Sequence, residues 1–287
     1  MSFIKKMMPK VKNIGAFDVR RAVPQVGLKS VGPWVFFDHF GPVEFEPGKG
    51  MDVRPHPHIN LATVTYLFEG EIFHRDSLGT AMAIRPGAVN LMVAGSGISH
   101  SERTREDLRG GGHRLHGLQL WHALPEEAEE TDPEFLHYAD DALPKRDSNG
   151  VNIRVMMGQG WGLNSPVKTF SPIFYAEADM PAGSKLALPE GIEELAVYPV
   201  SGAVSFGSAM IDEHEFALVD QSAADNFVAQ SDTRIAMIGG APLGKRHLWW
   251  NFVSSRPDRI QQAKADWDNG VFGDVPGEEE RIPLPKS

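Results

Sequence analysis

Apolar and polar positions alternate with a period of two through much of this chain, in short runs punctuated by glycine and proline. The first strongly apolar run, residues 34–40, is rich in aromatic and β-branched side chains and predicts a buried strand. Before it, residues 1–33 hold short mixed segments that read as edge strands or a wrap over a sheet. After it, residues 41–50 read as a loop. From Leu61 onward the pattern is a meander, with strand-like stretches at 63–68, 72–76, 81–84, 88–94 and 98–103 and turn signals between them. Turns that recur every ~8–12 residues predict an all-β sandwich or barrel.

Residues 105–113 end in Gly110-Gly111-Gly112 and read as a mobile loop. Residues 115–124 alternate well. The stretch 126–133 carries Glu126, Glu127, Glu129, Glu130 and Asp132, and predicts a solvated acidic surface between domains. A second series of strands then runs from about residue 145 to residue 238, in outline a repeat of the first. The expected division is therefore 1–133 and 145–287. Near the end, Ser255-Arg256-Pro257-Asp258 resembles a capping box, and Ile260, Ala263 and Trp267 fall on one helical face, which predicts a short amphipathic helix. Residues 276–287 read as tail.

Composition narrows the chemistry. The chain has 287 residues, enough for one large or two ordinary domains, and no cysteine. Any metal must then be held by nitrogen and oxygen, which disfavours a zinc-thiolate site. A formal charge of −10 disfavours direct nucleic-acid binding. No apolar run approaches a bilayer-spanning length, and residues 1–9 lack the apolar core of a secretory signal, so the expected address is the cytoplasm with no membrane association.

The candidate site lies between Arg54-Pro55-His56-Pro57-His58 and Gly97-Ile98-Ser99-His100-Ser101-Glu102. Residues two apart on an extended chain share a face, so His56 and His58 form one pair and His100 and Glu102 another. A rolled sheet can bring the two pairs together. Alone, the His-x-His reads equally well as an exposed Pro-His loop. The second pair, one even meander away, turns the reading toward a metal held by three imidazoles and a carboxylate. That ligand set accepts Fe, Mn, Ni, Cu or Zn, and four protein ligands on an octahedral ion leave two positions for a chelating substrate or for substrate plus dioxygen. Glu102, the carboxylate of the four, is also a candidate general base for a substrate hydroxyl. Ile72, His74 and Gln119 are candidate pocket residues, although a structural role is the favoured reading of His74 and strand capping competes for Gln119. The second half carries the widely spaced His214 and His247, with no His-x-His.

Several blocks in order make the chain resemble the pirins of the cupin superfamily. They are Arg54 to His58, Thr63-Val64-Thr65-Tyr66-Leu67, Gly70 with His74-Arg75-Asp76-Ser77-Leu78-Gly79, Ala94 to Glu102, and Gly117-Leu118-Gln119-Leu120-Trp121. The resemblance spans roughly the first 125 residues. It implies two tandem cupin-type β-barrels (a bicupin), with one divalent metal in the N-terminal barrel, usually Fe(II), held by His56, His58, His100 and Glu102, and none in the C-terminal barrel. The implied activity is that of a quercetin 2,3-dioxygenase, opening a planar flavonol with dioxygen. The alternative it implies is an iron- or redox-sensing binding protein that regulates a protein partner without turnover. The sequence departs from the common pirin pattern at Ile59-Asn60-Leu61-Ala62 and at Ala88-Val89-Asn90-Leu91-Met92, beside kept ligands.

Overall fold

Strand alternation sorts side chains into two faces, and in a computed structural model of the chain those faces close into two all-β units with a short C-terminal helix. The structure describes residues 3–223 and 225–286; Met1 and Ser2 of the amino-terminal start, and Ser287 of the predicted tail, lie outside them.

One unit comprises residues 1–11, 20–37 and 139–242. Its larger sheet has seven antiparallel strands in the order Phe3–Met7, Phe216–Val219, Glu194–Ser201, Thr233–Gly240, Ile173–Met180, Val151–Met157 and Lys145–Ser148. A four-stranded sheet, in the order Lys185–Ala187, Asn226–Ala229, Val204–Phe206 and Ala209–Ile211, closes over it. Phe174, Ala176 and Ala178 point from one sheet into a core shared with Val204, Phe206, Ile211 and Phe227 of the other. The intervening Tyr175 and Glu177 point the opposite way, as the period of two requires.

The other unit comprises residues 12–19, 38–138 and 243–287. A four-stranded antiparallel sheet, in the order Asp52–His58, Ile98–Arg103, Ile72–Asp76 and Ala81–Ile84, carries the polar cluster described below. It belongs with a seven-stranded sheet whose central strands are Leu61–Glu69 and His113–Ala123. An apolar cluster of Phe17, Phe40, Phe45, Leu67, Ile72, Ile84 and Leu115 fills one part of the interior. A second, of Ile59, Phe252, Ile260, Ala263, Trp267 and Phe272, is contributed largely by the end of the chain.

These units are not the contiguous halves 1–133 and 145–287. Residues 1–11 and 20–37 belong with the later strands, and residues 243–287 belong with the earlier ones. Burial is the reason. The helix Pro257–Asp268 buries Ile260, Ala263 and Trp267 together with Ile59, a residue of the first meander. Its predicted face is correct, but Ser255 does not cap it. Ser254 Oγ instead accepts from the Arg256 backbone N–H at 3.1 Å, while Ser255 donates through Oγ to Glu129 at 2.9 Å.

The acidic stretch is likewise more than solvated surface. Glu129 is buried, accepts hydrogen bonds from Ser254 Oγ, Ser255 Oγ and the Ser255 backbone N–H, and pairs with Arg246 at 3.3 Å. Glu130 accepts from Arg259 at 3.0 Å. The predicted mobile loop contains a helical turn, Glu106–Arg109. The predicted tail is tied down: the Ile282 backbone N–H donates to the Pro55 carbonyl at 2.8 Å, and Arg103 donates to both carboxylate oxygens of Glu278.

Candidate metal centre

Three neighbouring strands turn the same kind of residue inward. His56 and His58 come from Asp52–His58, His100 and Glu102 from Ile98–Arg103, and His74 and Asp76 from Ile72–Asp76, and all six are buried. Antiparallel register sets them side by side. His100 lies opposite His56 on one flank and Asp76 on the other, and Glu102 lies opposite His74. A register shift between His100 and Glu102 places Glu102 across from Val53. The meander therefore brings the two pairs into one buried cluster.

Within it, nitrogens of His56, His58 and His100 all lie within 4.8 Å of one another. Glu102 stands beside this triad and outside that distance set. Hydrogen bonds decide which ring nitrogen of each histidine is free. His56 Nδ1 is 2.9 Å from the Arg54 carbonyl and His58 Nδ1 is 3.2 Å from the Asn251 carbonyl. A carbonyl only accepts, so each Nδ1 carries the proton and each Nε2 keeps a lone pair. Burial favours the neutral form of all three imidazoles. Burial lowers His56 to about 4, against the bond to the Arg54 carbonyl and with repulsion from His74 adding, and pushes His58 and His100 well below the usual range, with repulsion from neighbouring histidines adding.

His58 Nε2 faces His100 Nε2 at 3.1 Å. Buried imidazole nitrogens converging in this way are what a cation needs and what an apolar core does not tolerate. The residues present thus fit a divalent metal. Trp121 packs edge-on against His58, with ring centroids 4.9 Å apart, and holds its plane.

Around the triad lie groups that do not themselves converge on it. Burial pushes the Glu102 carboxyl up to about 7, against the opposing pull of a hydrogen bond with Thr65. Thr65 Oγ1 also donates to Gln119 Oε1 at 2.9 Å. Gln119, a candidate pocket residue, thereby joins the site through Thr65. His74 Nδ1 is 3.4 Å from His100 Nδ1, and its Nε2 is 3.0 Å from Asp76 Oδ2. Burial raises the Asp76 carboxyl, but hydrogen bonds from His74 and Thr80 outweigh it and hold the group below its ordinary value. Ile72 is placed elsewhere, in the apolar cluster with Leu67, Ile84 and Leu115.

Sequence reasoning missed Thr65, Asn251 and Asp76. The alternation of Ile72, His74 and Asp76 was a usable signal for Asp76. Nothing in the local pattern pointed to Asn251, which lies 193 positions from the ring it orients.

Comparison with known proteins decides the family. Residues 16–122 match the Pirin family model and residues 175–273 match the model of the pirin C-terminal cupin domain. The chain belongs to the pirin family. It is 46% identical over 262 residues to a pirin-like protein of Caulobacter vibrioides, covering 90% of this chain and 91% of that one. Human pirin is 29% identical over 265 residues, covering 89% and 88%. The crystal structure of quercetin 2,3-dioxygenase from Acinetobacter baumannii superposes with a TM-score of 0.91 at 33% identity, covering 99% of this pirin and 96% of that chain. The expected bicupin architecture is thus correct for this pirin, including its second half, where motif resemblance was slight. No helix among its described residues is long and apolar enough to cross a membrane.

Proposed function

We propose that this pirin is a metal-dependent dioxygenase that opens a flavonol such as quercetin with dioxygen. The observation that carries the reading is the convergence of ring nitrogens from three buried imidazoles, His58 and His100 facing each other at 3.1 Å. His56, His58 and His100 would hold the ion, with Glu102 as the fourth ligand, and Fe(II) is the favoured metal. When bound, the metal would supply a Lewis acid for the substrate's oxygen donors and the centre at which dioxygen reacts.

The chain's own residues supply the rest. The Arg54 and Asn251 carbonyls fix the rings of His56 and His58 before any ion arrives. Glu102, buried beside the triad, would take the proton of the substrate hydroxyl, with Thr65 hydrogen-bonded to its carboxyl. Similarity to the Acinetobacter baumannii quercetin 2,3-dioxygenase supports a planar aromatic substrate.

Anaerobically reconstituted Fe(II) protein mixed with quercetin tests this directly. Flavonol absorbance is expected to fall only after oxygen is admitted, and His56→Ala is expected to abolish both iron binding and turnover. Fully metallated protein that leaves quercetin intact under oxygen sinks the assignment. Glu102→Gln separates the two parts given to Glu102: a base leaves iron bound and turnover down about 10²–10⁴-fold, whereas a ligand loses the iron.

A further inference from the structure

Behind His100 lies a chain of groups that no part of the proposed reaction uses. Asp76 is fully buried, and its Oδ1 accepts two backbone N–H groups, from Leu78 and from Thr80, each at 3.0 Å. Its Oδ2 is thereby aimed at His74 Nε2, 3.0 Å away. The His74 ring is clamped by stacking on Phe135, with centroids 4.4 Å apart and planes 28° from parallel. Its other nitrogen, Nδ1, meets His100 Nδ1 at 3.4 Å.

Read from the Asp76 end, the row has one order of protons, the one that leaves His100 Nε2 open to a cation and not donating to His58 Nε2 at 3.1 Å. A carboxylate accepts only, so His74 carries its proton on Nε2. His74 Nδ1 is then a lone pair, so His100 must carry its proton on Nδ1. That leaves His100 Nε2 as a lone pair, pointing at His58 Nε2. For His56 and His58 a backbone carbonyl enforces the same tautomer directly. His100 differs, because the acceptor behind it is an imidazole, His74, with the Asp76 carboxylate one ring away.

We propose that Asp76, acting through His74, is a positioning residue that holds His100 in its metal-binding tautomer and raises its basicity toward the ion. The inference rests on the metal-centre reading above, because it assigns a purpose to the Nε2 lone pair of His100. Carboxylate and carbonyl partners behind a metal-bound imidazole commonly act this way; here a second imidazole is interposed.

Asp76→Asn makes the strongest test, because the two backbone donors would keep the amide oxygen and turn the NH₂ toward His74. His74 would then be protonated on Nδ1, and His100 on Nε2, where its proton blocks the ion. The measurements are ring ¹⁵N shifts of the metal-free protein, which report the tautomer of each histidine, and cobalt(II) affinity by chelator competition. In the natural protein His100 is expected to carry its proton on Nδ1 and His74 on Nε2. Asp76→Asn is expected to move the His100 proton to Nε2, leave His58 unchanged and weaken cobalt(II) binding about 10–100-fold. His74→Phe, which removes the acceptor without supplying a donor, is expected to mix the His100 tautomers and weaken binding about 10-fold.

A purely structural role would lower stability without moving a proton between ring nitrogens. The inference is overturned if His100 in the natural protein is protonated on Nε2, or if a folded Asp76→Asn variant keeps both tautomer and affinity. Should Asp76→Asn fail to fold, the natural protein's shifts and His74→Phe decide. Natural protein that takes up no cobalt(II) overturns the metal-centre reading instead, and the shifts of the metal-free protein still decide the relay.

Discussion

The two barrels share a plan and differ in what one small sheet turns inward. In each, a four-stranded sheet runs with its first chain segment beside its last, then the second, then the third. The corresponding order is Asp52–His58, Ile98–Arg103, Ile72–Asp76, Ala81–Ile84 in one unit and Lys185–Ala187, Asn226–Ala229, Val204–Phe206, Ala209–Ile211 in the other. The first sheet points His56, His58, His100, Glu102, His74 and Asp76 inward. The second points Leu186, Val204, Phe206, Ile211, Phe227 and Ala229 into its core, with the Phe206 and Phe227 rings 5.0 Å apart. One framework thus encloses either a cluster of convergent lone pairs or a packed apolar interior. The difference teaches that this architecture holds a polar interior through hydrogen-bonded partners such as Arg54, Asn251 and Asp76, and that convergent imidazoles in such an interior call for a cation.

The sharpest way to break the comparison is to open the apolar barrel. Phe227→Ala removes a fully buried ring, and chemical denaturation is expected to show a loss of about 3–5 kcal/mol. Metal stoichiometry is expected to stay as in the natural protein. A fall in metal content without unfolding would mean the apolar interior contributes to the site.

A smaller effect concerns Glu177, the buried carboxyl in the apolar unit. It accepts from Tyr175 Oη at 2.8 Å, and burial, only partly countered by that bond, pushes it up to about 7. Below the unfolded value of 4.5 the group is protonated in both states. Between 4.5 and about 7 the folded chain holds a proton that the unfolded chain has released, so stability falls as pH rises and the full penalty is present above about 7. Glu177→Gln is expected to flatten that slope and to stabilise the protein by about 1–3 kcal/mol at pH 8. Parallel stability-pH curves for variant and natural protein would show that Glu177 is not the source.

The least disruptive change lies at the end of the chain. Glu278→Gln weakens the contact in which Arg103 Nε donates at 2.8 and 3.0 Å, and is expected to cost about 1 kcal/mol in denaturant unfolding of the unit that carries the histidine cluster. An unchanged midpoint would make the carboxy-terminal segment a passive cover.

Much of the site could be read before any coordinates. Strand period and turn spacing together make His56 with His58, and His100 with Glu102, same-face pairs, and three of those four residues form the convergent triad. Glu102 is grouped with them by the same rule, and a register shift separates it from His100 along the strand. That shift has no signature in the alternation. Ile72 shows the opposite failure: it shares a strand face with His74, yet lies farther along the strand, where the interior is apolar.

What the order of residues determined by itself is local: where the chain is extended, which side chains share a face, where proline and glycine turn it, and that nitrogen and oxygen are the available metal donors. What the tertiary structure alone decided is which distant segment completes each local unit. The run 243–287 packs with the first meander because the apolar face of Ile260, Ala263 and Trp267 needed burial, and periodicity states that need without naming the surface that meets it. The same holds for protons. Whether an imidazole offers Nδ1 or Nε2 depends on the acceptor brought to its other side, and for His58 and His100 those acceptors, Asn251 and His74, arrive only when the sheet closes.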